Sequence, residues 1–179
     1  FNRNFGISAI NAKTLTQEWF QPNVRASIGK YARSLAVEDL DNDGIKEVIV
    51  LDNQGYLNAL SSQTGELIWK ATQGLAYWSY TQAIVYTDDI DSDGNIEVIA
   101  GTNVYNSDGS VKISMGQSNY LDGPTYIEVS DLNHDGLKEL LYNDKVYDHN
   151  GVIIYNGLGD GNYYTTANFD LDPELEWTQ

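Results

Sequence analysis

The sequence predicts an all-β fold that is assembled from similar units of four short strands. Three observations support this prediction. An acidic segment recurs along the chain, a strand–turn–strand segment follows each copy, and no long stretch has the periodicity of an amphipathic helix. The expected elements are therefore short strands that are joined by turns rich in Asp, Asn, Ser and Gly.

The acidic segment is present in three near-identical copies and in a fourth, weaker copy. The copies begin 50, 42 and 37 residues apart, which suits the roughly 40–50-residue period of propeller blades. The four segments are DLDNDGIKEV from Asp39, DIDSDGNIEV from Asp89, DLNHDGLKEL from Asp131 and NFDLDPELEW from Asn168.

A hairpin pattern follows each of the first three acidic segments, because two apolar runs flank a turn-forming stretch. The same pattern begins the chain, where a shift of 50 residues places Ala9 on Ala59 and Trp19 on Trp69. We expect these two Trp side chains to pack between neighbouring units. The hairpins are residues 6–19, 55–69, 104–113 and 146–155.

One unit therefore has four strands, and its acidic loop lies between the first two. For the first complete unit the expected strands are 34–38, 47–51, 56–60 and 66–70. Four-stranded units in this number describe a β-propeller, here a single domain with blades at about 31–80, 81–123 and 124–162. Residues 163–179 plus 1–30 supply the fourth blade, so the termini close the ring. Two alternatives are a part of a larger propeller and half-units that are completed between molecules.

The acidic loops follow the pattern D-x-[DN]-x-D-G-x-x-E, which predicts calcium sites. Alternate short side chains aim oxygen atoms at one centre, Gly at position 6 permits the sharp bend, and calcium takes 6–8 oxygen ligands. The acid at position 9 leads into a strand, which argues against a helix-flanked EF-hand. The predicted ligands, with the position-7 residue acting through its carbonyl, are Asp39, Asp41, Asp43, Ile45 and Glu47; Asp89, Asp91, Asp93, Asn95 and Glu97; Asp131, Asn133, Asp135, Leu137 and Glu139; and Asn168, Asp170, Asp172, Glu174 and Glu176.

The net charge of −16 disfavours partners that are themselves negatively charged. It opposes binding to nucleic acid and to anionic membranes, and no apolar run is long enough to insert into a bilayer. The absence of Cys excludes disulfides and thiolate sites. Three to four Ca²⁺ ions would neutralise much of the loops' charge. Because exposed sites of this kind bind at about 10⁻⁴ to 10⁻³ M, we expect an extracellular or cell-surface location.

The acidic loops resemble the calcium-binding repeats of the FG-GAP/VCBS group, which occurs in integrin α-subunit propellers and in secreted microbial proteins. The resemblance implies that the loops join the first two strands of each blade and that the metal is structural. The chain departs from the family in lacking the Phe-Gly and Gly-Ala-Pro signature and in having about four units where seven are typical. Its fourth loop also has Pro173 in place of the usual glycine.

No catalytic residue is predicted, because His134 lies in an acidic loop, His149 lies in a hairpin turn, and the clustered carboxylates are assigned to metal. The expected function is a non-enzymatic binding, adhesion or self-assembly module with a glycan or protein partner. The alternatives are a propeller fragment of a secreted polysaccharide lyase and a fibre subunit with shared half-blades. Candidate ligand-binding aromatics precede the first strand of the units: Tyr31, Trp78, Tyr80, Tyr120, Tyr126, Tyr163 and Tyr164.

Overall fold

The structure of the chain is a computed structural model, which describes residues 6–26, 35–75, 83–116, 127–157, 165–167 and 176–178. All sixteen regular elements in this part of the chain are β-strands. None of the described residues forms a helix long and apolar enough to cross a membrane. The strands are β1 (Ile7–Ile10), β2 (Gln17–Gln21), β3 (Leu35–Glu38), β4 (Glu47–Leu51), β5 (Leu57–Ser61), β6 (Leu67–Lys70), β7 (Val85–Asp88), β8 (Glu97–Ala100), β9 (Asn103–Tyr105), β10 (Val111–Ser114), β11 (Glu128–Ser130), β12 (Glu139–Tyr142), β13 (Lys145–Tyr147), β14 (Ile153–Asn156), β15 (Thr165–Ala167) and β16 (Glu176–Thr178).

The strands form three four-stranded antiparallel sheets and two hairpins. The sheets are β3–β6, β7–β10 and β11–β14, and each is a meander in which sequential strands are neighbours. The hairpins are β1–β2 and β15–β16. The prediction of a repeated four-stranded unit is confirmed for the three complete units. In the first unit, β4 has the predicted bounds, whereas β5 and β6 each begin one residue later than expected.

The two hairpins keep the pairing register of the complete sheets. Ala9 pairs with Trp19 as Ala59 pairs with Trp69, so the predicted equivalence of the N-terminal hairpin is confirmed. At the other end of the chain, Ala167 pairs with Glu176. In each complete sheet the residue before the acidic loop likewise pairs with the closing Glu. The sequence between β15 and β16 therefore has the same place in its unit as the three other acidic loops.

The core lies between successive sheets, and the alternation of side chains along the second strand of each unit explains its layout. On β4, Val48 and Val50 pack toward the N-terminal hairpin, whereas Ile49 and Leu51 pack toward the next sheet. On β8, Ile99 packs toward the third sheet. These strands are buried on both faces, and each buried Val, Leu or Ile side chain contributes about 2 kcal/mol of hydrophobic free energy. The sheets are therefore stacked face to face in chain order.

A large side chain on one unit packs against a turn glycine of the next unit. Trp19 contacts Gly65, and Trp69 contacts Gly109, in the next unit along the chain. A Cβ atom added to these glycines would lie only 2.5 and 2.6 Å from the Trp rings. Both glycines also have positive φ, at +73° and +82°, so the turn requires glycine for its backbone and for its space.

The packing of a large side chain on a turn glycine also occurs at a third joint between units, but it is not possible at the N-terminal turn. Ile113 packs on Gly151 in the same manner, with 2.8 Å between its Cγ2 atom and the position of an added Cβ. The equivalent residue of the β1–β2 turn is Leu15, which also has a positive φ of 57° and whose side chain is exposed. Its Cβ atom occupies the place that the other three turns leave open. This turn therefore cannot accept a large side chain in the same position.

Candidate metal-binding loops

The three described acidic loops share one hydrogen-bond pattern, which begins at position 1. Asp39 accepts hydrogen bonds from the backbone N–H of Asp43 on Oδ1 (3.1 Å) and of Gly44 on Oδ2 (2.9 Å). Asp89 and Asp131 accept the equivalent pairs at 3.0 to 3.1 Å. The position-5 Asp then accepts the N–H of position 7 in each loop, at 2.7 to 2.8 Å. Backbone N–H groups thus hold the carboxylates in place around each bend.

The closing Glu anchors each loop to its sheet. Glu47, Glu97 and Glu139 are buried, and each begins the second strand of its unit. Each accepts a hydrogen bond from the backbone N–H of position 2 in its own loop, at 2.8 to 3.1 Å. The burial of a carboxylate costs free energy unless a hydrogen bond or a cation compensates for it. The three buried glutamates therefore favour a positive charge in or beside each loop.

Neighbouring loops are joined directly. The Asn42 side-chain amide donates to the Gly94 carbonyl at 3.0 Å, and the Ser92 hydroxyl donates to the Gly136 carbonyl at 2.5 Å. Both donors lie at position 4 of their loops and have positive φ, as does His134 in the third loop. The three loops therefore form a row along one end of the stacked sheets.

In the first and third loops, the surroundings of the closing Glu disfavour its ionised form when no cation is bound. Burial raises the pKa of Glu47, the Leu40 N–H partly offsets this, and the charges of the loop's aspartates raise the pKa further. Burial likewise raises the pKa of Glu139, and Asp135 and Asp131 add to the effect. A bound divalent cation would remove this penalty, because it stabilises the ionised form.

The residues of the first two loops fit a calcium ion. Carboxylate oxygens of Asp39, Asp41 and Asp43 lie within 4.8 Å of one another, as do those of Asp89, Asp91 and Glu97. Ligands on opposite sides of Ca²⁺ are about 5 Å apart, since each Ca–O distance is about 2.3–2.6 Å. In the second loop, the Oδ1 atom of Asp91 is buried without a hydrogen-bond partner. The donor set is all oxygen, as calcium prefers.

A lysine from the fourth strand of its unit, Lys112, enters the second loop, although it lies outside the acidic motif. The Lys112 ammonium lies 2.6 Å from Asp91 Oδ2 and 2.8 Å from Glu97 Oε1. Burial acts to lower the pKa of Lys112, but its hydrogen bonds to these two carboxylates outweigh burial and raise it. The sequence contains one indication of this contact. Lys112 is a cation in the fourth strand of its unit, whereas the equivalent residues of the other complete units are Ile68 and Ile154.

Of the predicted side chains, the structure brings together Asp39, Asp41 and Asp43 in the first loop and Asp89, Asp91 and Glu97 in the second. Among the described residues, Glu47, Asp93 and the carboxylates of the third loop are not part of a group this close. The ligand roles of the Ile45, Asn95 and Leu137 carbonyls stay predictions. In the fourth loop, Asn168, Asp170, Asp172, Glu174 and the side chain of Glu176 lie outside the described residues. The seven candidate ligand-binding aromatics also lie outside them: Tyr31, Trp78, Tyr80, Tyr120, Tyr126, Tyr163 and Tyr164.

A polar pocket of about 180 Å³ lies at the β4–β5 turn, at the opposite end of the first sheet. Its lining includes Arg25, Asp52 and Lys70. The buried Asp52 carboxylate accepts hydrogen bonds from the Lys70 ammonium at 2.8 Å and from the N–H groups of Gln54 and Tyr56 at 2.9 Å. The side chain of Asn58 also donates to it, at 3.2 Å. Asp52 therefore stabilises the turn that links β4 to β5.

Comparisons with known proteins give similarity of structure only. No family model and no curated protein matches the chain. The crystal structure of the V. cholerae biofilm matrix protein Bap1 is similar at a TM-score of 0.74 and 25% identity, over 98% of this chain and 29% of Bap1. Two rhamnogalacturonan lyases, the exotype enzyme YesX and YesW, are similar at a TM-score of 0.62 and 20% identity. They align over 95% of this chain and over 38% and 39% of their own lengths. The chain therefore has the fold of a segment of each of these longer proteins.

Proposed function

We propose that the chain is a calcium-stabilised module of an extracellular protein that serves in binding, adhesion or assembly. The observation that carries this proposal is the repetition of one hydrogen-bonded acidic bend in three loops, each closed by a buried glutamate. The three loops hold eleven of the 26 acidic residues. Two unit charges about 4 Å apart near a surface repel by about 4 kcal/mol, so a divalent ion in each loop favours the folded state.

The propeller arrangement and the FG-GAP/VCBS resemblance form the structural part of this proposal. Support comes from the face-to-face stacking of the sheets and from acidic loops that join the first two strands of each unit. If β14 meets the β1–β2 turn in a closed ring, Leu15 makes that joint different from the three joints built on glycine. We expect a fourth ion in the loop between β15 and β16.

The similarity to Bap1 supports a role in an extracellular matrix, with a glycan, a protein or a second copy as partner. Calcium is millimolar outside cells, where exposed sites of this kind would be filled. The lyase similarities favour a second candidate, a fragment of a polysaccharide-degrading enzyme. A lyase releases unsaturated products that absorb ultraviolet light, so the formation of such products during incubation with rhamnogalacturonan would favour the second candidate.

Thermal unfolding in a chelator and in millimolar CaCl₂ tests the metal proposal. Each site at ten times its Kd adds about 1.4 kcal/mol, so three sites raise the melting temperature by roughly 10 °C in a chain of this size. Asp41→Asn, which gives the first loop the amide that the third loop has in Asn133, reduces the shift. The matched control is Asp108→Asn at an exposed hairpin turn, which leaves the shift unchanged. Identical melting temperatures with chelator and calcium would contradict the proposal.

A further inference from the structure

The second loop contains its own cation. Lys112 reaches it from β10 and places its ammonium between Asp91 and Glu97, at 2.6 and 2.8 Å. Glu97 is almost fully buried, with 2% of its side chain exposed, and the Lys112 side chain is 20% exposed. Two of the four carboxylates of this loop therefore already have a positive partner in the folded chain.

A β-bulge explains why Lys112 reaches the loop. The register of β9 and β10 shifts between Val111 and Ile113, which leaves Lys112 opposite no single residue. The same shift occurs in the two other complete sheets, where the bulged residues are Ile68 and Ile154, and both are exposed. The bulged position is thus a place from which a side chain can reach the loop of its own unit.

The first loop is compensated differently. Its neighbouring lysine, Lys46, pairs with Glu38 at 3.1 Å rather than with a predicted ligand. The first loop therefore contains four carboxylates, three of them grouped closely, and has no cation among them. The second loop has the same four carboxylates and one ammonium. Calcium affinity depends on the charge of the ligand set, so these two loops differ where their sequences suggest equality.

We propose that Lys112 is a tethered counter-ion of the second loop and competes with a divalent cation for Asp91 and Glu97. This inference rests on the proposed function, because it describes how one of its metal sites is regulated. The ammonium keeps the second loop folded when calcium is low. A metal ion must displace two charge-assisted hydrogen bonds, which weakens its binding about tenfold relative to the first loop. The module therefore fills its loops in sequence as calcium rises.

A CaCl₂ titration that is monitored by the amide NMR signals measures calcium binding at each loop separately. The N–H groups of Gly44, Gly94 and Gly136 each donate to the position-1 Asp of their own loop, so each reports its own site. In the unmodified chain we expect the Gly94 signal to reach its midpoint at about tenfold higher calcium than the Gly44 signal. Lys112→Ile, which copies the other units, moves the Gly94 midpoint toward that of Gly44.

The reciprocal variant Ile68→Lys places a lysine beside the first loop. We expect it to raise the calcium midpoint of Gly44 by a similar factor and to leave that of Gly136 unchanged. If Lys112→Ile does not fold, Lys112→Met keeps most of the apolar stem and replaces it in the test. The inference is overturned if Gly94 titrates with Gly44 in the unmodified chain, or if removal of the ammonium leaves the Gly94 midpoint in place. If none of the three signals responds to millimolar CaCl₂, the proposed function itself fails.

Discussion

The first and second acidic loops share the backbone hydrogen bonds to positions 1, 5 and 9 and have the same number of carboxylates, yet their buried glutamates have opposite surroundings. The charges nearest Glu47 are aspartates, whereas Glu97 is bonded to Lys112. The repeated motif therefore determines the shape of the bend, and a residue of the fourth strand determines its charge. Two copies of one motif are therefore not two copies of one site.

The largest expected difference between the loops is in the stability of the metal-free protein. Glu97→Gln removes the negative partner of Lys112 inside a buried pair, and we expect a loss of about 2 kcal/mol in the free energy of unfolding. Glu47→Gln removes a charge that its acidic neighbours repel, so stability stays equal or rises. Denaturant unfolding in a chelator measures both variants. Equal losses for the two would show that the surroundings of the two glutamates do not differ in energy.

We expect the unmodified chain and Glu47→Gln to differ in how their stability depends on pH. Burial and the neighbouring aspartates raise the pKa of Glu47 above the 4.5 of the unfolded chain. The native state therefore holds this proton more tightly, and ionisation costs stability as the pH rises from about 4.5 through the native pKa. Glu47→Gln lacks this cost.

Melting temperatures in a chelator across this range are the measurement. The advantage of Glu47→Gln over the unmodified chain should be absent near pH 4.5, where the unfolded group is half protonated, and should grow toward neutral pH. Saturating calcium should reverse the order, since the ion binds the charged carboxylate of Glu47 more strongly than a neutral amide oxygen. A difference between the two proteins that is constant with pH would contradict the assignment.

The smallest expected effect concerns the link between the two loops. Asn42→Gly keeps the positive φ at no steric cost and removes the hydrogen bond to the Gly94 carbonyl, so we expect a loss of about 0.5 kcal/mol. The carbonyl chemical shift of Gly94 should change in the same variant. Asn143→Gly makes the same backbone replacement at a turn outside the acidic loops and serves as the control. An unchanged Gly94 signal would argue against the link.

The sequence was sufficient for features that depend on local pattern. The alternation of apolar residues predicts β4 with its observed bounds, and the shift of 50 residues predicts the matching pairs Ala9–Trp19 and Ala59–Trp69. The clustering of Asp39, Asp41 and Asp43 follows from their spacing in a tight bend. Each of these results involves residues that are close in sequence or segments that repeat at a fixed offset.

The packing of Trp19 and Trp69 between neighbouring units was predicted and is confirmed, whereas finer features of the tertiary structure were not predicted. The entry of Lys112 into the second loop requires the bulge in β10, which no local pattern marks. The bond from Asn42 to Gly94 joins two loops that are 52 residues apart, and its donor lies at a motif position that varies between copies. Recognition of Gly65 as the seat of Trp19 needs the distance between two units, which a single sequence does not contain.

A bulky side chain of one unit packs on the turn glycine of the next unit, so the two faces of a unit are different and the units stack in one direction. The first and second sheets each have a turn glycine that contacts the preceding unit and a bulky side chain that contacts the next unit. In the second sheet these residues are Gly109 and Ile113. A gene segment that encodes one such unit carries both halves of the joint, so duplication or loss of the segment leaves compatible neighbours. The number of units is therefore free to change by whole steps during evolution without redesign of the interfaces that remain.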